Sequence, residues 1–176
     1  SALFGNDLAT LPNYPAEIRA PAGTVAGVSS FQVHISDFDI VTPGDAPNVL
    51  VAMNPAALLS NIGDLAPGST VLVNIDSFND RDLAKAGYEA NPLEDGSLSA
   101  FNIYEVPMTS LTLQATEDLG VKQRDAERSK NFFALGLICW MYTRPTKPLI
   151  DWIETKYAGK EKVRDSNLAA LRAGRN

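Results

Sequence analysis

The chain contains few of the side chains on which independent catalysis depends. Its 176 residues include one cysteine and one histidine, which excludes an intramolecular disulfide and a metal site made only of cysteines. The same scarcity leaves almost no material for the common nucleophile–base pairs. The sequence also lacks a glycine-rich phosphate loop, a serine nucleophile elbow and any metal-ligand spacing. A self-contained enzyme is therefore not expected, and no residue is assigned as catalytic or metal-binding.

Basic clusters and long apolar runs are also missing. The formal net charge is -6, which argues against a nucleic acid partner because phosphate binding requires a basic patch. The longest apolar stretch, residues 132–142, is too short to cross a bilayer, which takes about 20 residues. The start of the sequence lacks the charged and apolar parts of a signal peptide. We therefore expect a cytoplasmic protein with no membrane partner.

The composition that remains is that of a globular domain. Apolar residues make up 45% and charged residues 20% of the chain, which suffices for a hydrophobic core. Three strand-like segments, residues 49–53, 70–75 and 101–106, alternate with helix-like segments, a pattern typical of a mostly parallel sheet. We predict one α/β domain over residues 1–176, with three layers, a mostly parallel or mixed sheet and a helical C-terminal third.

Polar residues indicate where the helices begin. Pro55 suits the first helical position of the first helix, and Gly63 is predicted to close it. The predicted N-caps are Asn54 for the first helix, Asp76 or Ser77 for a second that ends near residue 86, and Thr109 or Ser110 for a third that ends near residue 119.

The C-terminal third is predicted to be helical. One helix runs from residue 124 to about residue 144, and its second half is apolar on all sides, so we expect it to be buried, against this chain or another. Within it, Cys139 is interpreted as a small buried hydrophobe. A further amphipathic helix is predicted, with one face made of Leu149, Ile150, Ile153 and Tyr157, and residues 160–174 predict a weaker one.

The N-terminal part is predicted to be a long loop followed by a strand. Residues 1–27 are predicted to be irregular, apart from one helical turn near the start, and so long a loop is functional or packs on a neighbour. Phe31, Val33 and Ile35 alternate with polar residues, which is the pattern of a half-exposed strand. His34 falls on the polar face and is interpreted as a surface histidine.

Two groups of polar residues are candidates for a binding site. Glu17 and Arg19 are two apart in an extended, proline-flanked segment, so their side chains would point to the same side. Arg19 can clamp a carboxylate or phosphate; alternatively, the two residues form an ion pair that anchors the loop, or a contact across a subunit boundary.

The second group, Asn54, Asp76 and Thr109, is expected where ligands of open α/β sheets bind, beyond the carboxyl ends of the strands. The helix after Asn54 has no acidic residue in its first turn and can accept an anion, although plain capping is the simpler interpretation of Asn54.

Several segments, in a fixed order, resemble the gamma module of 2-oxoacid:ferredoxin oxidoreductases. They are Tyr14–Arg19, Gly27–Val33, Pro43–Asp45, Leu50–Pro55 and Ala126–Asn131. The resemblance covers nearly the whole chain. It is closest to the alpha subunits of 2-oxoglutarate:ferredoxin oxidoreductases, in which a gamma module precedes the pyrimidine-binding alpha domain. It implies an accessory module of a thiamine diphosphate-dependent enzyme, one that converts a 2-oxoacid to an acyl-coenzyme A and passes electrons through iron–sulfur clusters to ferredoxin.

The resemblance also implies how the work is divided. The thiamine cofactor lies between alpha and beta modules in this family, so this chain is expected to bind no cofactor itself. Its expected partners are the alpha domain and the beta subunit, and ferredoxin is reached through the complex. A homodimer of this chain is also possible. Glu17, Arg19 and Asn54 become the candidates for a face toward other modules or coenzyme A. Family members begin with a strand and a glycine-rich turn that this sequence lacks, so the chain is interpreted as a fragment.

Two other functions stay open on the sequence. The chain can be a free-standing α/β domain that binds a small anionic metabolite at the helix starts near Asn54 and Thr109. It can also be a purely structural dimerisation domain.

Overall fold

The structure, a computed structural model, describes residues 7–13, 30–36 and 46–176. The predicted site residues Glu17 and Arg19 lie outside the described residues. The chain divides into two compact units, one drawn from residues 1–73 and 77–105 and the other from residues 74–76 and 106–176. None of the described helices is long and apolar enough to cross a membrane.

The described strands form two sheets. Strand β1 (Asp7–Asn13) pairs antiparallel with β2 (Ser30–Ser36). Strands β3 (Val49–Ala52), β4 (Thr70–Asn74) and β5 (Asn102–Val106) form the other sheet in that order, and β3 runs parallel to β4. The second sheet and its intervening helices confirm the predicted α/β class and the three predicted strand segments.

Strand β1 corrects the prediction that residues 1–27 are irregular, because residues 7–13 are extended and paired. This segment contains an aspartate, a proline and an asparagine, which are depleted in strands. Pro12 donates no hydrogen bond to a ladder, but β1 is an edge strand in a two-stranded sheet, where proline is tolerated. The strand exists because β2 pairs with it, and a local pattern does not show so distant a partner.

Helix α1 (Pro55–Asn61) begins as predicted. Asn54 is its N-cap, and its side-chain Oδ1 accepts a hydrogen bond from the backbone N–H of Ala57 at 2.8 Å. The prediction that Gly63 closes the helix is wrong, since the α-helix ends at Asn61 and Gly63 lies inside the 3-10 turn Ile62–Asp64 that follows it.

Helix α2 (Asp80–Ala86) begins later than predicted. Its N-cap is Asn79, whose Oδ1 accepts the backbone N–H of Asp82 at 3.1 Å, so the predicted caps Asp76 and Ser77 are wrong. Those two residues belong instead to the 3-10 turn Ile75–Ser77 that follows β4. Local sequence offers several polar residues here, and Asn79 caps because only it stands immediately before the first helical residue.

The second unit contains the helical C-terminal third. Its helices are α3 (Met108–Thr116), α4 (Gln123–Glu127), α5 (Lys130–Met141), α6 (Lys147–Lys156) and α7 (Glu161–Arg175). The single helix predicted over residues 124–144 is therefore two helices, interrupted at Arg128 and Ser129. The buried hydroxyl of Ser129 donates to Oδ1 of Asn167 on α7 at 2.8 Å, which holds the chain at this break.

Helix α7 is the longest described helix, so the weak helix predicted for residues 160–174 underestimates it. It packs closely on α5. A Cβ atom at Gly136 of α5 would overlap the carbonyl oxygen of Leu171, and one at Gly174 of α7 would overlap the carbonyl oxygen of Phe133. The two helices thus meet backbone against backbone, and α7 stabilises the unit through this approach, since its large apolar side chains are few.

Candidate functional site

The start of α3 is the place where polar residues from distant parts of the sequence come together. Asn74, the last residue of β4, is fully buried. Its side-chain Nδ2 donates to the hydroxyl of Thr109 at 3.0 Å, and its Oδ1 accepts the backbone N–H of Thr109 at 3.3 Å. One asparagine side chain therefore ties the end of a strand to the first turn of a helix.

Asp76 makes a second tie to the same turn. One carboxylate oxygen accepts the backbone N–H of Ser110 at 2.7 Å, and the other accepts the hydroxyl of Ser110 at 2.9 Å. Helix α3 follows Pro107 and has no capping side chain of its own. The prediction that Thr109 or Ser110 caps this helix is therefore wrong, because residues after β4 provide the acceptors instead.

This arrangement decides what the start of α3 can bind. Helix N-termini attract anions because their first N–H groups lack partners and the helix dipole is positive there. Here the N–H groups of Thr109 and Ser110 are already bonded to Asn74 and Asp76, and the Asp76 carboxylate would repel a second anion. The geometry thus gives no support to a small anionic metabolite at Thr109.

The start of α1 has little spare donor capacity as well. Pro55 has no N–H, the N–H of Ala57 is bonded to the Asn54 side chain, and that of Leu58 to the Asn54 carbonyl at 3.2 Å. The first turn contains no acidic residue, as predicted, so no negative charge there would repel an anion. The observed role of Asn54 is capping, which was the simpler of its two interpretations.

A shallow cleft of about 430 Å³ lies beside α3 and α4 in the second unit. It is lined by Leu113, Gln114, Thr116, Glu117, Val121, Gln123 and Ala126. This lining offers amides, one hydroxyl and one carboxylate, but neither a cation nor a nucleophile paired with a base. The cleft can take a neutral polar group, and nothing in it points to bond making or breaking.

The other buried polar and nucleophilic side chains among the described residues are either hydrogen-bonded within the fold or unreactive. Cys139 is buried, and this burial raises the pKa of its thiol, so the reactive thiolate is disfavoured. Among the described residues no cluster of His, Cys, Asp and Glu can hold a metal ion. Every buried side-chain polar atom there has a hydrogen-bond partner, which is the condition of a folded scaffold. The interpretation of Cys139 as a small buried hydrophobe is confirmed.

The structure brings together only some of the residues predicted as a site. Asp76 and Thr109 lie side by side at the start of α3, whereas Asn54 belongs to the first unit and is described there. Sequence reasoning missed Asn74, which makes the buried half of the tie. The available signal was an asparagine that directly follows the apolar run Val71–Val73.

Comparisons with known proteins complete the description. The family model of pyruvate ferredoxin/flavodoxin oxidoreductase matches residues 2–176. A curated relative, the 2-oxoglutarate oxidoreductase subunit KorA of Mycobacterium tuberculosis, is 57% identical over all 176 residues. The chain spans 27% of that relative's length.

Solved structures share the fold at lower identity. A 2-oxoglutarate:ferredoxin oxidoreductase of Magnetococcus marinus, with 2-oxoglutarate, coenzyme A and succinyl-CoA bound, matches with a TM-score of 0.65 and 24% identity, over 97% of this chain and 25% of that one. A keto/oxoacid ferredoxin oxidoreductase gamma subunit of Geobacter sulfurreducens matches with a TM-score of 0.57 and 17% identity, over 99% of this chain and 83% of that one. At these identities the likeness shows the fold alone.

Proposed function

Because this chain belongs to the pyruvate ferredoxin/flavodoxin oxidoreductase family, we propose that it is the gamma-type accessory module of a 2-oxoglutarate:ferredoxin oxidoreductase. The observation that supports this most is the 57% identity to a 2-oxoglutarate oxidoreductase subunit over the whole chain. The complete enzyme would convert 2-oxoglutarate and coenzyme A to an acyl-coenzyme A and pass the electrons to ferredoxin. The other parts of that enzyme, an alpha-type domain and a beta subunit, are the module's partners.

The proposed role is structural: the module would help to assemble the enzyme and would not carry out its chemistry. The residue content of this chain supports that role. Thiamine diphosphate chemistry and electron transfer through iron–sulfur clusters would take place on the other modules. A cluster needs about four cysteine thiolates, and this chain has one cysteine, which is buried. The described residues therefore do not fit a cluster, and no reaction step is assigned to them. A cytoplasmic location, where reduced ferredoxin would be used, belongs to the same proposal.

We place the face toward coenzyme A or a neighbouring module at Glu17, Arg19 and Asn54. Arg19 offers a planar, bidentate group suited to a phosphate or carboxylate, and Glu17 stands two residues before it. Asn54 would contribute through the helix start it caps, where no acidic residue opposes an anion. The proposal for Glu17 and Arg19 depends on their sequence position alone.

The proposal is tested in the complete oxidoreductase that contains this chain. We expect reduction of ferredoxin that requires both 2-oxoglutarate and coenzyme A, with pyruvate a poorer substrate. Arg19→Ala should raise the KM for coenzyme A about tenfold, because losing one charge-assisted hydrogen bond costs about 1.5 kcal/mol. Arg81→Ala, which removes an exposed arginine from α2, is the matched control and should change nothing. A complete enzyme that prefers pyruvate would contradict 2-oxoglutarate as the substrate. An unchanged KM for coenzyme A in an intact Arg19→Ala complex would exclude Arg19 from the coenzyme A face.

A further inference from the structure

The hairpin of helices α5 and α6 exposes large aromatic side chains that a self-sufficient domain would bury. The chain has two tryptophans, and both lie here: Trp140 is 61% exposed and Trp152 is 51% exposed. Tyr142, just past the end of α5, is 48% exposed. We name these three residues the aromatic surface. The second half of the predicted apolar helix is thus only partly buried within this chain, and its burial against another chain stays a prediction.

Within the aromatic surface, Trp152 is held in place by contacts with neighbouring rings. The ring of Trp152 lies 6.5 Å from that of Phe132 and 6.3 Å from that of Tyr157, centroid to centroid, which are distances of favourable ring pairs. The next residue of α6, Ile153, is fully buried in a core cluster with Leu168 and Leu171 of α7. Helix α6 therefore already has its core contact, and Trp152 faces outward from an ordered support.

Ordered, exposed tryptophan and tyrosine side chains are the commonest anchors of protein interfaces, because they bury much apolar area and lose little conformational freedom. We propose that the aromatic surface is the docking surface for the protein module that makes up the rest of the polypeptide in the longer relatives. This inference rests on the proposed function, and it names the surface through which the accessory module is attached.

The position of the last residues supports this occupant. Arg175 at the end of α7 donates from its guanidinium to the carbonyl oxygen of Arg144 at 2.7 Å, and Arg144 is two residues past Tyr142. Any sequence joined after Asn176 therefore starts near the connection between α5 and α6, which contains Tyr142. The KorA relative carries this module as 27% of its length, so a much larger part of such a polypeptide is available to cover the surface.

The charges on α6 favour a protein partner over a lipid surface. Membrane-binding helices combine aromatic residues with a polar face rich in lysine and arginine. Helix α6 instead balances Lys147 and Lys156 against Asp151 and Glu154, and Lys147 is paired with Asp151 at 2.9 Å. Lys156 lies one turn beyond Trp152 on the same side of the helix. Its amine can therefore be cross-linked to whatever covers the aromatic surface.

The test is performed on the complete oxidoreductase, by hydroxyl-radical footprinting of the native and the unfolded enzyme. Docking predicts that Trp140 and Trp152 oxidise about tenfold more slowly in the native enzyme, because anchor residues lose nearly all solvent contact. Their exposed fractions in this chain would allow a reduction of only about twofold if nothing covers them. A twofold reduction in the native enzyme overturns the proposal. Footprinting needs no turnover, so this result is independent of which oxoacid the enzyme uses.

Cross-linking identifies what covers the surface. In the same enzyme, a lysine-reactive cross-linker on Lys156 should reach peptides of the neighbouring module. Cross-links joining Lys156 to another copy of this chain, recognised in enzyme assembled from isotopically mixed copies, would overturn the proposal in favour of a homodimer. Protection that requires added anionic vesicles would overturn it in favour of a membrane.

Variants then test whether the aromatic rings contribute to the attachment. In the native enzyme, the double variant Trp140→Ser with Trp152→Ser should oxidise at Tyr142 at least about fivefold faster than the unaltered enzyme. The reason is that the interface loses its two anchors. Trp152→Phe, which keeps a ring, should leave the protection in place, and Glu154→Ser, which changes an exposed residue on the same helix, is the matched control. Equal Tyr142 labelling in the double variant and in the Glu154→Ser control would overturn the assignment.

Discussion

Single polar side chains decide where the helices of this protein start. Asn54 and Asn79 each stand just before a helix and accept a backbone N–H from its first turn. Asn74 and Asp76 perform the same task for α3 from the end of β4 and the turn that follows it. All four satisfy donors that would otherwise be left unpaired at a helix end, so these residues are explained by the fold before any ligand is invoked.

The two interpretations of Asn54 lead to different results when it is replaced. Asn54→Ala removes the acceptor for the Ala57 N–H and should lower the free energy of unfolding by about 1 kcal/mol. Asn54→Asp keeps a capping oxygen and should retain the stability, which urea denaturation of both variants measures. The aspartate variant is informative because it adds a negative charge at the same place. A higher KM for coenzyme A in the complete enzyme with Asn54→Asp would support the proposed coenzyme A face, and an unchanged KM would leave Asn54 as a cap only.

At the scale of elements, the contact between α5 and α7 organises the second unit. Gly136 and Gly174 allow the two helix backbones to approach until the carbonyl groups of Leu171 and Phe133 occupy the space of the missing side chains. The buried hydrogen bond between Ser129 and Asn167 fixes the same pair of helices near the start of α5. Small residues at the crossing explain why α7 is buried although its composition predicts a weak helix.

Adding one methyl group at this crossing should be costly. Gly174→Ala places a Cβ atom against the Phe133 backbone, which cannot swing aside as a side chain can. We expect a loss of about 1–3 kcal/mol from overpacking, despite the better helix propensity of alanine. Gly63→Ala is the control, because nothing lies within 4 Å of a Cβ atom there. Equal urea midpoints for the two variants would show that the helices separate without penalty.

At the scale of the whole molecule, the described residues present few reactive groups and a helical hairpin with exposed aromatic side chains. The described residues have satisfied buried polar atoms, no metal-holding cluster and a buried thiol. Their exposed tryptophans stand on one helical hairpin. A molecule of this kind is suited to binding other proteins, which agrees with the accessory role proposed for it.

The isolated chain is accordingly expected to be inactive. Purified alone, it should show no reduction of ferredoxin or of an artificial acceptor when 2-oxoglutarate and coenzyme A are supplied. Activity should appear only when the remaining modules of the oxidoreductase are present, which the same acceptor assay measures. Oxoacid-dependent reduction by the chain alone, after all other proteins have been removed, would contradict the accessory role.

The sequence by itself determined the features that depend on local pattern. Continuous apolar runs identified β3 and β4, and Asn54 followed by Pro55 identified the start of α1, because these signals lie within a few residues of the element they specify. Several motifs in a fixed order identified the family, which the match over residues 2–176 confirms.

Only the tertiary structure decided the features that depend on distant partners. Strand β1 needs β2 to pair with, α3 takes its caps from residues after β4, and α7 is buried because Gly136 admits it. In each case, the stabilising group is far away along the sequence and becomes a neighbour only after folding. The outward direction of Trp140 and Trp152 belongs with these, since packing against α7 buries Ile153 and leaves both tryptophans exposed.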